Sequence, residues 1–274
     1  MIAAQAAQAP ARPDQRAAPR YRLVRDSALI AGRYLRVNVM NPGRLIYPLV
    51  QPLVLLVLFI SVFGNLAVSG HSGAGAYRQF LIPGIIIQNA ALTAPIAGLA
   101  LLRDAGSGLA DRFRALPMSR AAVLVGRLAY DALLFAVQGV LLIVTAFGFG
   151  FTVKTGPAGV VGIVAIAVVF GASVSVASAW LALTISDVET AERVMYFPGI
   201  ALSFVSSAFA PVPYLAAWMQ PIARVNPVTA AADLIRSLAA GGAAARPALL
   251  LVGWVIVLVV VPGVLAVRRW QSSP

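Results

Sequence analysis

The chain alternates between long apolar stretches and short arginine-rich segments. Six stretches, roughly residues 44–66, 80–102, 121–150, 158–185, 195–211 and 248–267, stay apolar over the length of a membrane span. A helix crosses a hydrocarbon core of about 30 Å with about 20 residues, so the pattern predicts an all-α membrane protein with six transmembrane helices. The fifth stretch is the shortest and is expected to be tilted or followed by a partly buried return. The third is too long for one span. Its first turns, with Arg120, Arg127 and Asp131, are expected to run along or just inside the headgroups.

The flanking segments are patterned as well. Residues 1–25, rich in Ala, Pro, Gln and Arg at their start, read as a disordered cytoplasmic tail. Asp26 or Ser27 is a good N-cap for a helix running to about Met40. Arg33 and Arg36 share one face of it, while Ile30, Tyr34 and Val37 line another. A basic amphipathic helix of this kind lies in the interface, and Pro42 breaks it, giving an interfacial helix over 26–43 and a transmembrane domain over 44–270. Between the last two spans the sequence predicts short external helices. One covers Pro213 to Arg224. The next is capped by Asn226 with Pro227 at its first position, carries Ala231, Leu234, Ile235 and Leu238 on one side, and ends at Gly241 and Gly242.

Composition strengthens the membrane reading. The chain is 60% hydrophobic and 11% charged, against about 25% charged in soluble domains. The net charge of +12 falls in short blocks between apolar runs, so it does not point to a nucleic-acid partner. With the N-terminus inside, sixteen of the 21 basic residues fall on inner segments. Arg78, Lys154, Arg224, Arg236 and Arg246 remain outside. That asymmetry places both termini in the cytoplasm, and six spans require the same. No apolar signal-peptide core is expected in residues 1–43.

Much chemistry is excluded. Without cysteine, and with His71 as the only histidine, neither thiolate chemistry nor a zinc-type metal site is available. The only lysine, Lys154, follows Val153, so there is no Walker A motif. The nine acidic residues avoid the middles of the spans, and ion-coupled carriers usually carry carboxylates or histidines there. A membrane enzyme would need a cluster of catalytic groups. Energy for any transport must come from another chain.

The motifs resemble those of ABC-2-type permeases, particularly the daunorubicin-resistance type of drug-export subunit. They run from Asn41-Pro42 and Gln51-Pro52 through Phe80-Leu81-Ile82-Pro83-Gly84 with Gln88. They continue with Gly108-Leu109, Arg112-Phe113-Arg114, Leu116-Pro117-Met118, Gly126-Arg127 and Asp131. Glu189-Thr190-Ala191, Ser206-Ser207-Ala208-Phe209, Trp218 with Gln220, Asn226-Pro227-Val228-Thr229, Asp233 and Arg236 complete the series. Each is short, but together they cover roughly residues 41–131 and 187–242 in family order.

The resemblance implies a non-enzymatic permease subunit in a cell membrane. It would pair with a second copy or a sister permease, and with cytoplasmic P-loop ATPases that hold ATP and Mg. The implied cargo is an amphiphilic drug, antibiotic or lipid moved outward. A lipid-linked glycan or cell-wall lipid is the alternative within transport, and a membrane assembly scaffold is a different class. The excess of arginine over lysine, 20 to 1, fits GC-rich bacterial coding of the actinobacterial kind.

Three groups of residues are candidates for function. The loop with Arg103, Asp104, Gly106, Gly108, Arg112, Phe113, Arg114, Leu116 and Pro117 reads from charge alone as a basic inner loop, and from the resemblance as a helix that docks on the ATPase. Asp187, Glu189 and Glu192 form a second inner loop, read either as a solvated turn or as a second coupling contact. Gln51, Gln88, Asn89, Thr93 and Gln138 lie inside spans, and Ser206 and Ser207 end the fifth. Intramembrane amides either hydrogen-bond between helices or face a translocation path. Gly171, Ser175 and Ala179 recur every four residues and predict close helix packing. Arg127 and Asp131 are spaced to pair, and His71 is expected to be solvated.

The orientation is testable because the chain has no native cysteine. Single cysteines at Ser72 and Ser237 should react with an impermeant thiol reagent on intact cells. Cysteines at Ser107 and Ser272 should react only after permeabilisation, and external labelling at Ser107 would reverse the assignment.

Overall fold

A computed structural model describes residues 19–63, 74–106, 120–182, 184–185 and 187–272. Those residues form helices α1 (Pro19–Met40), α2 (Pro42–Phe63), α3 (Ala74–Thr93), α4 (Pro95–Gly106), α5 (Arg120–Gly148), α6 (Gly156–Ala182) and α7 (Val188–Phe204). A single 3-10 turn (Val212–Tyr214) leads to α8 (Gln220–Val225), α9 (Pro227–Ala240) and α10 (Ala245–Ser272). No strand occurs among the described residues. Four segments, Gly75–Asp104, Ala122–Gly148, Gly156–Ala182 and Ala245–Pro262, are long and apolar enough to cross a membrane, and Ile46–Val62 is a shorter apolar helix. His71 lies outside the described residues.

Helix α3 is the centre of the bundle. Leu81, Ile82, Ile85, Ile86 and Ile87 are buried all round it, as expected of a helix with no solvent face. It packs against α2, α6, α7 and α9. Helix α10 packs on α6 and α9 but leaves Leu249, Val252, Ile256 and Val260 exposed, the surface a lipid-facing helix presents.

The sequence reading needs correction at four places. First, α1 begins at Pro19 rather than at Asp26 or Ser27, both of which lie inside it. Proline suits the first helical position, and Leu23 packs beside Ile30, Tyr34, Ala122 and Tyr130, which holds the extra turns on α5. Second, the predicted span 80–102 is interrupted at Ala94, because Pro95 has no N–H to continue the ladder. Third, α7 starts at Val188, ahead of the expected Met195, since Asp187 caps it by accepting from the Thr190 amide at 2.7 Å. It ends at Phe204, and residues 205–211 form the return. Fourth, Pro213 to Arg224 is not one helix but the 3-10 turn and α8.

Other expectations are met. Asn226 caps α9 through a 2.8 Å bond from the Val228 amide, and Gly241 closes the helix at φ 72°, a conformation glycine adopts without strain. Yet α9 does not lie on the surface: Pro227 to Ala232 are all buried, packed by α3, α6 and α10.

The break at Ala94 is stabilised rather than loose. The Ala94 carbonyl accepts from the hydroxyls of Ser178 at 3.2 Å and Ser175 at 3.5 Å, both on α6. The same carbonyl takes the Ala97 amide at 3.1 Å, so the junction is tied to both α4 and α6. Glycines permit the close approach, and the small-residue stripe of α6 is part of it: a Cβ on Gly171 would stand 2.8 Å from the Phe135 ring. A Cβ on Gly98 would meet the Ser178 carbonyl oxygen at 2.3 Å, and one on Gly84 the Ala208 carbonyl oxygen at 2.0 Å.

Gly84→Ala and Gly98→Ala should therefore each lower stability by about 1–3 kcal/mol, the usual cost of overpacking. Gly253→Ala on α10, where a Cβ meets nothing within 4 Å, should be neutral or stabilising because alanine is the better helix former. Thermal unfolding of the purified variants in detergent checks the contrast.

Candidate functional site

A cavity of about 1010 Å³ opens between α2, α3, the start of α4 and α7. Its walls are mostly apolar: Pro48, Pro52 and Leu55 from α2, Ile85 and Leu92 from α3, Ile96 from α4, and Phe197 and Ile200 from α7. Gln51, Gln88, Asn89 and Thr93 all line it. The structure thus brings together four of the residues that the sequence nominated for a path. Tyr47 and Tyr196 line it as well, and among the described residues Glu192 and Arg193 are its only charged lining.

Gln138 is placed differently. It is 1% exposed and donates to the Pro48 carbonyl at 2.7 Å while accepting from the Asn89 amide at 3.2 Å. The carbonyl is available because Pro52, four residues on, has no N–H to offer it. Thr93 in turn donates to Asn89 Oδ1 at 3.4 Å. Gln138 is a helix-to-helix tie behind the cavity wall.

Ser206 and Ser207 are outside the cavity altogether. Ser206 donates to the Ser203 carbonyl at 2.6 Å and accepts from the Ala208 amide at 3.0 Å. Ser207 belongs to a clamp built around Arg236, whose guanidinium donates to the carbonyls of Phe80 at 3.0 Å and Ser207 at 2.8 Å, to Ser207 Oγ at 2.9 Å, and to Asp233 at 2.6 Å. The same group sits 3.7 Å from the Phe80 ring centroid. Arg236 therefore ties α9 to the start of α3 and to the return after α7. These two serines serve that junction, and their nomination as path residues is not supported by where they lie.

The opposite end of the bundle carries a second polar cluster. Arg127 and Asp131, 4% and 3% exposed, form a two-pronged pair on α5, with Nε to Oδ2 at 3.1 Å and Nη2 to Oδ1 at 2.9 Å. The Arg127 guanidinium lies 4.9 Å from the Tyr34 ring and 5.3 Å from the Tyr130 ring. Tyr34 also donates from its hydroxyl to Asp104 at 2.6 Å, which joins α1 to the last turn of α4. Burial, reinforced by the hydrogen bond to Asp104 and its charge, raises the Tyr34 phenol above its usual range.

Among the nominated coupling residues, Arg103 is exposed on the last turn of α4, Asp104 is half-buried, and Gly106 ends the helix. Gly108, Arg112, Phe113, Arg114, Leu116 and Pro117 lie outside the described residues. In the second group, Asp187 is the cap of α7, and hydrogen bonding from Thr190 holds its carboxyl below the usual range. Glu189, in the first turn, pairs with Arg193 on the exposed surface. Two of the three acidic residues thus have a local helical role, while Glu192 points to the cavity lining.

Sequence reasoning missed the clamp role of Arg236, the Tyr34 to Asp104 link and the aromatic lining from Tyr47, Tyr196 and Phe197. Asp233 and Arg236 stand three apart and could have been read as a pair. The Phe80 and Ser207 carbonyls, by contrast, carry no sequence signal.

Comparison with known proteins adds an independent line. The family model for the ABC-2 type transporter matches residues 28–239. The daunorubicin resistance ABC transporter permease protein of Streptomyces coeruleorubidus is 32% identical over 202 residues, covering 74% of this chain and 70% of that protein. The probable doxorubicin resistance ABC transporter permease protein of Mycobacterium tuberculosis is 26% identical over 224 residues, covering 81% and 80%. A putative transport permease of Porphyra purpurea is 26% identical over 219 residues, covering 79% and 74%. The chain belongs to the ABC-2 type transporter family. It is a multi-pass membrane protein and the permease subunit of an ATP-binding-cassette transporter, a family that normally works with a separate ATPase subunit.

The Arg127 cluster makes a graded prediction. Arg127→Ala leaves Asp131 buried without its partner and should cost about 3–5 kcal/mol. Tyr34→Phe keeps the ring over the guanidinium and removes only the hydroxyl bond to Asp104, so it should cost about 1 kcal/mol. Thermal unfolding of the two variants side by side checks the order, and equal losses would contradict it.

Proposed function

We propose that this ABC-2 permease exports an amphiphilic drug, antibiotic or lipid from the cytoplasm or inner leaflet. On this reading it has six spans with both termini inside, α7 and the shorter α2 counting among them. It works with a second permease copy or a sister permease, and with a cytoplasmic P-loop ATPase that binds ATP and Mg. The observation that carries the reading is the cavity. Its walls are mostly apolar, its polar groups are mostly neutral amides and hydroxyls, and among the described residues Glu192 and Arg193 are its only charged lining. Such a space offers little to replace the hydration of a highly charged solute. It suits a molecule with a large apolar body. The relatives from Streptomyces and Mycobacterium, both named as drug-resistance permeases, agree with that cargo.

Coupling is assigned to residues 106–117. Arg103 and Asp104 end α4 at the entry to this loop. Arg112 and Arg114 supply charge for the ATPase surface, and Phe113 and Leu116 supply packing. Glu189 and Glu192 stand on the neighbouring inner turn as a second contact. Movement of the ATPase would be felt first at the end of α4. From there the Tyr34 to Asp104 bond carries it to α1, and the packing of Leu99, Ala182, Ala191 and Met195 carries it to α7 and the cavity wall.

Vesicles containing the complete complex test the transport reading: ATP-dependent export of amphiphiles is expected, and export of small hydrophilic anions alone would overturn it. Charge reversal at Arg112 and Arg114 tests the coupling. A buried charged pair that loses one partner weakens an interface by about 2–5 kcal/mol, so ATPase association or substrate-stimulated hydrolysis should fall strongly. Membrane abundance and cysteine labelling at Ser107 must stay normal for the loss to be read as lost coupling. Native-rate export by the double variant would remove the charged part of the assignment and leave Phe113 as the contact to examine.

A further inference from the structure

The polar groups of the cavity fall into two sets. Asn89 and Thr93 are committed to each other and to Gln138, and that chain of bonds ends on the Pro48 carbonyl. Gln88 and Gln51 also line the cavity, yet neither makes a hydrogen bond to any described residue. Gln88 is only 9% exposed, so the cavity itself is what remains open to its amide. An amide that opens only onto an apolar-walled space gains from any polar group that enters it. Gln138, one helix away, shows that this bundle can satisfy a glutamine from its own backbone where the role is structural. The geometry points to Gln88, assisted by Gln51, as the specificity-determining contact of the cavity. It would bind an uncharged hydrogen-bonding substituent, such as a hydroxyl, keto or amide group, on an apolar ligand body.

This inference rests on the export reading for its physiological meaning, and it names the chemistry of the cargo. A glutamine amide offers two donors and an acceptor oxygen, so it accommodates a hydroxyl or a carbonyl in either sense. Being neutral, it demands no counter-charge. Pro52, Leu55, Ile85 and Leu92 stand around the same space and supply apolar contact for rings. Glu192 and Arg193 are on the first turns of α7, whereas α3 meets α7 further along it, where a Cβ on Gly199 would stand 3.2 Å from the carbonyl of Ala91, three residues from Gln88. A ligand seated at Gln88 therefore meets amide groups and hydrocarbon.

The test compares two near-isosteric probes, 1-hydroxypyrene and 1-methylpyrene, binding to the full chain in lipid nanodiscs, with empty nanodiscs giving the lipid background. The native chain should favour the hydroxyl probe by about fivefold, the size expected of one net hydrogen bond. Gln88→Met should bring that ratio close to one while leaving 1-methylpyrene affinity within about twofold. Gln51→Met, at an exposed position, should shift the ratio in the same direction and stands in if Gln88→Met is unstable. A native ratio near one, or a ratio unchanged in both variants, would overturn the inference and leave water or a second copy of the chain as the partner of these amides. Failure of the complete complex to export any amphiphile would count against the transport reading alone, because the binding ratio needs neither ATP nor the ATPase.

Discussion

Every backbone group inside the hydrocarbon region must find its partner within the protein, and that constraint accounts for most of the polar residues in this bundle. Prolines make it acute. Pro52 strands the Pro48 carbonyl on α2, and Gln138 of α5 takes it at 2.7 Å. At the junction of α3 and α4, Pro95 stops the ladder and Ser178 of α6 reaches the Ala94 carbonyl at 3.2 Å. At the end of α7, Asn226 donates to the carbonyls of Leu202 at 2.9 Å and Val205 at 2.7 Å. The same residue accepts from Val228 to cap α9. At all three places a polar side chain from another element bonds the backbone, and the same bonds tie the helices together.

The charged residues obey the same constraint at higher stakes. Arg236 gives its donors to three carbonyls, a hydroxyl and a carboxylate, and lays its face on Phe80. Arg127 is held by Asp131 and flanked by two tyrosine rings. Arginine suits both places because its planar fork bonds in several directions while its faces stack on aromatic rings. The two clusters sit at opposite ends of the bundle. One secures the return after α7 and the other secures α1 to α5, and neither Arg127 nor Arg236 lines the cavity.

How much of this was legible in the sequence depends on what kind of signal each feature leaves. Periodicity marked α1, where Ile30 and Tyr34 are buried and Arg33 and Arg36 exposed. Local capping chemistry marked α9 from Asn226 to Gly241. Hydropathy located the apolar segments but not their interruptions: the stretch 80–102 reads as continuous, and only the Ala94 break shows that Pro95 begins a new helix. It also missed the start of α7, because Glu189, Glu192 and Arg193 look like a loop in composition while behaving as the first turns of a capped helix. In the cavity, four nominated residues do converge, but Gln138, Ser206 and Ser207 were indistinguishable from them. Whether an amide faces a space or a stranded carbonyl depends on the partner helix, and that information is absent from the amide's own neighbourhood.

The arrangement of α4 follows from these ties and bears on how the permease can work. At its start the helix is anchored to α6 through Ala94 and the close approach of Gly98 to Ser178. At its end a hydrogen bond from Tyr34 to Asp104 joins it to α1, while Leu99 packs with Met195 of α7. On the proposed reading, the loop beyond Gly106 is where the ATPase pushes, so the force enters at the end of α4. Met195 is adjacent in sequence to Tyr196, and Tyr196 lines the cavity. Displacement at Asp104 therefore reaches the cavity wall through apolar contacts that can slide, whereas the amide bonds at Pro48 and the clamp at Arg236 hold the rest of the frame still.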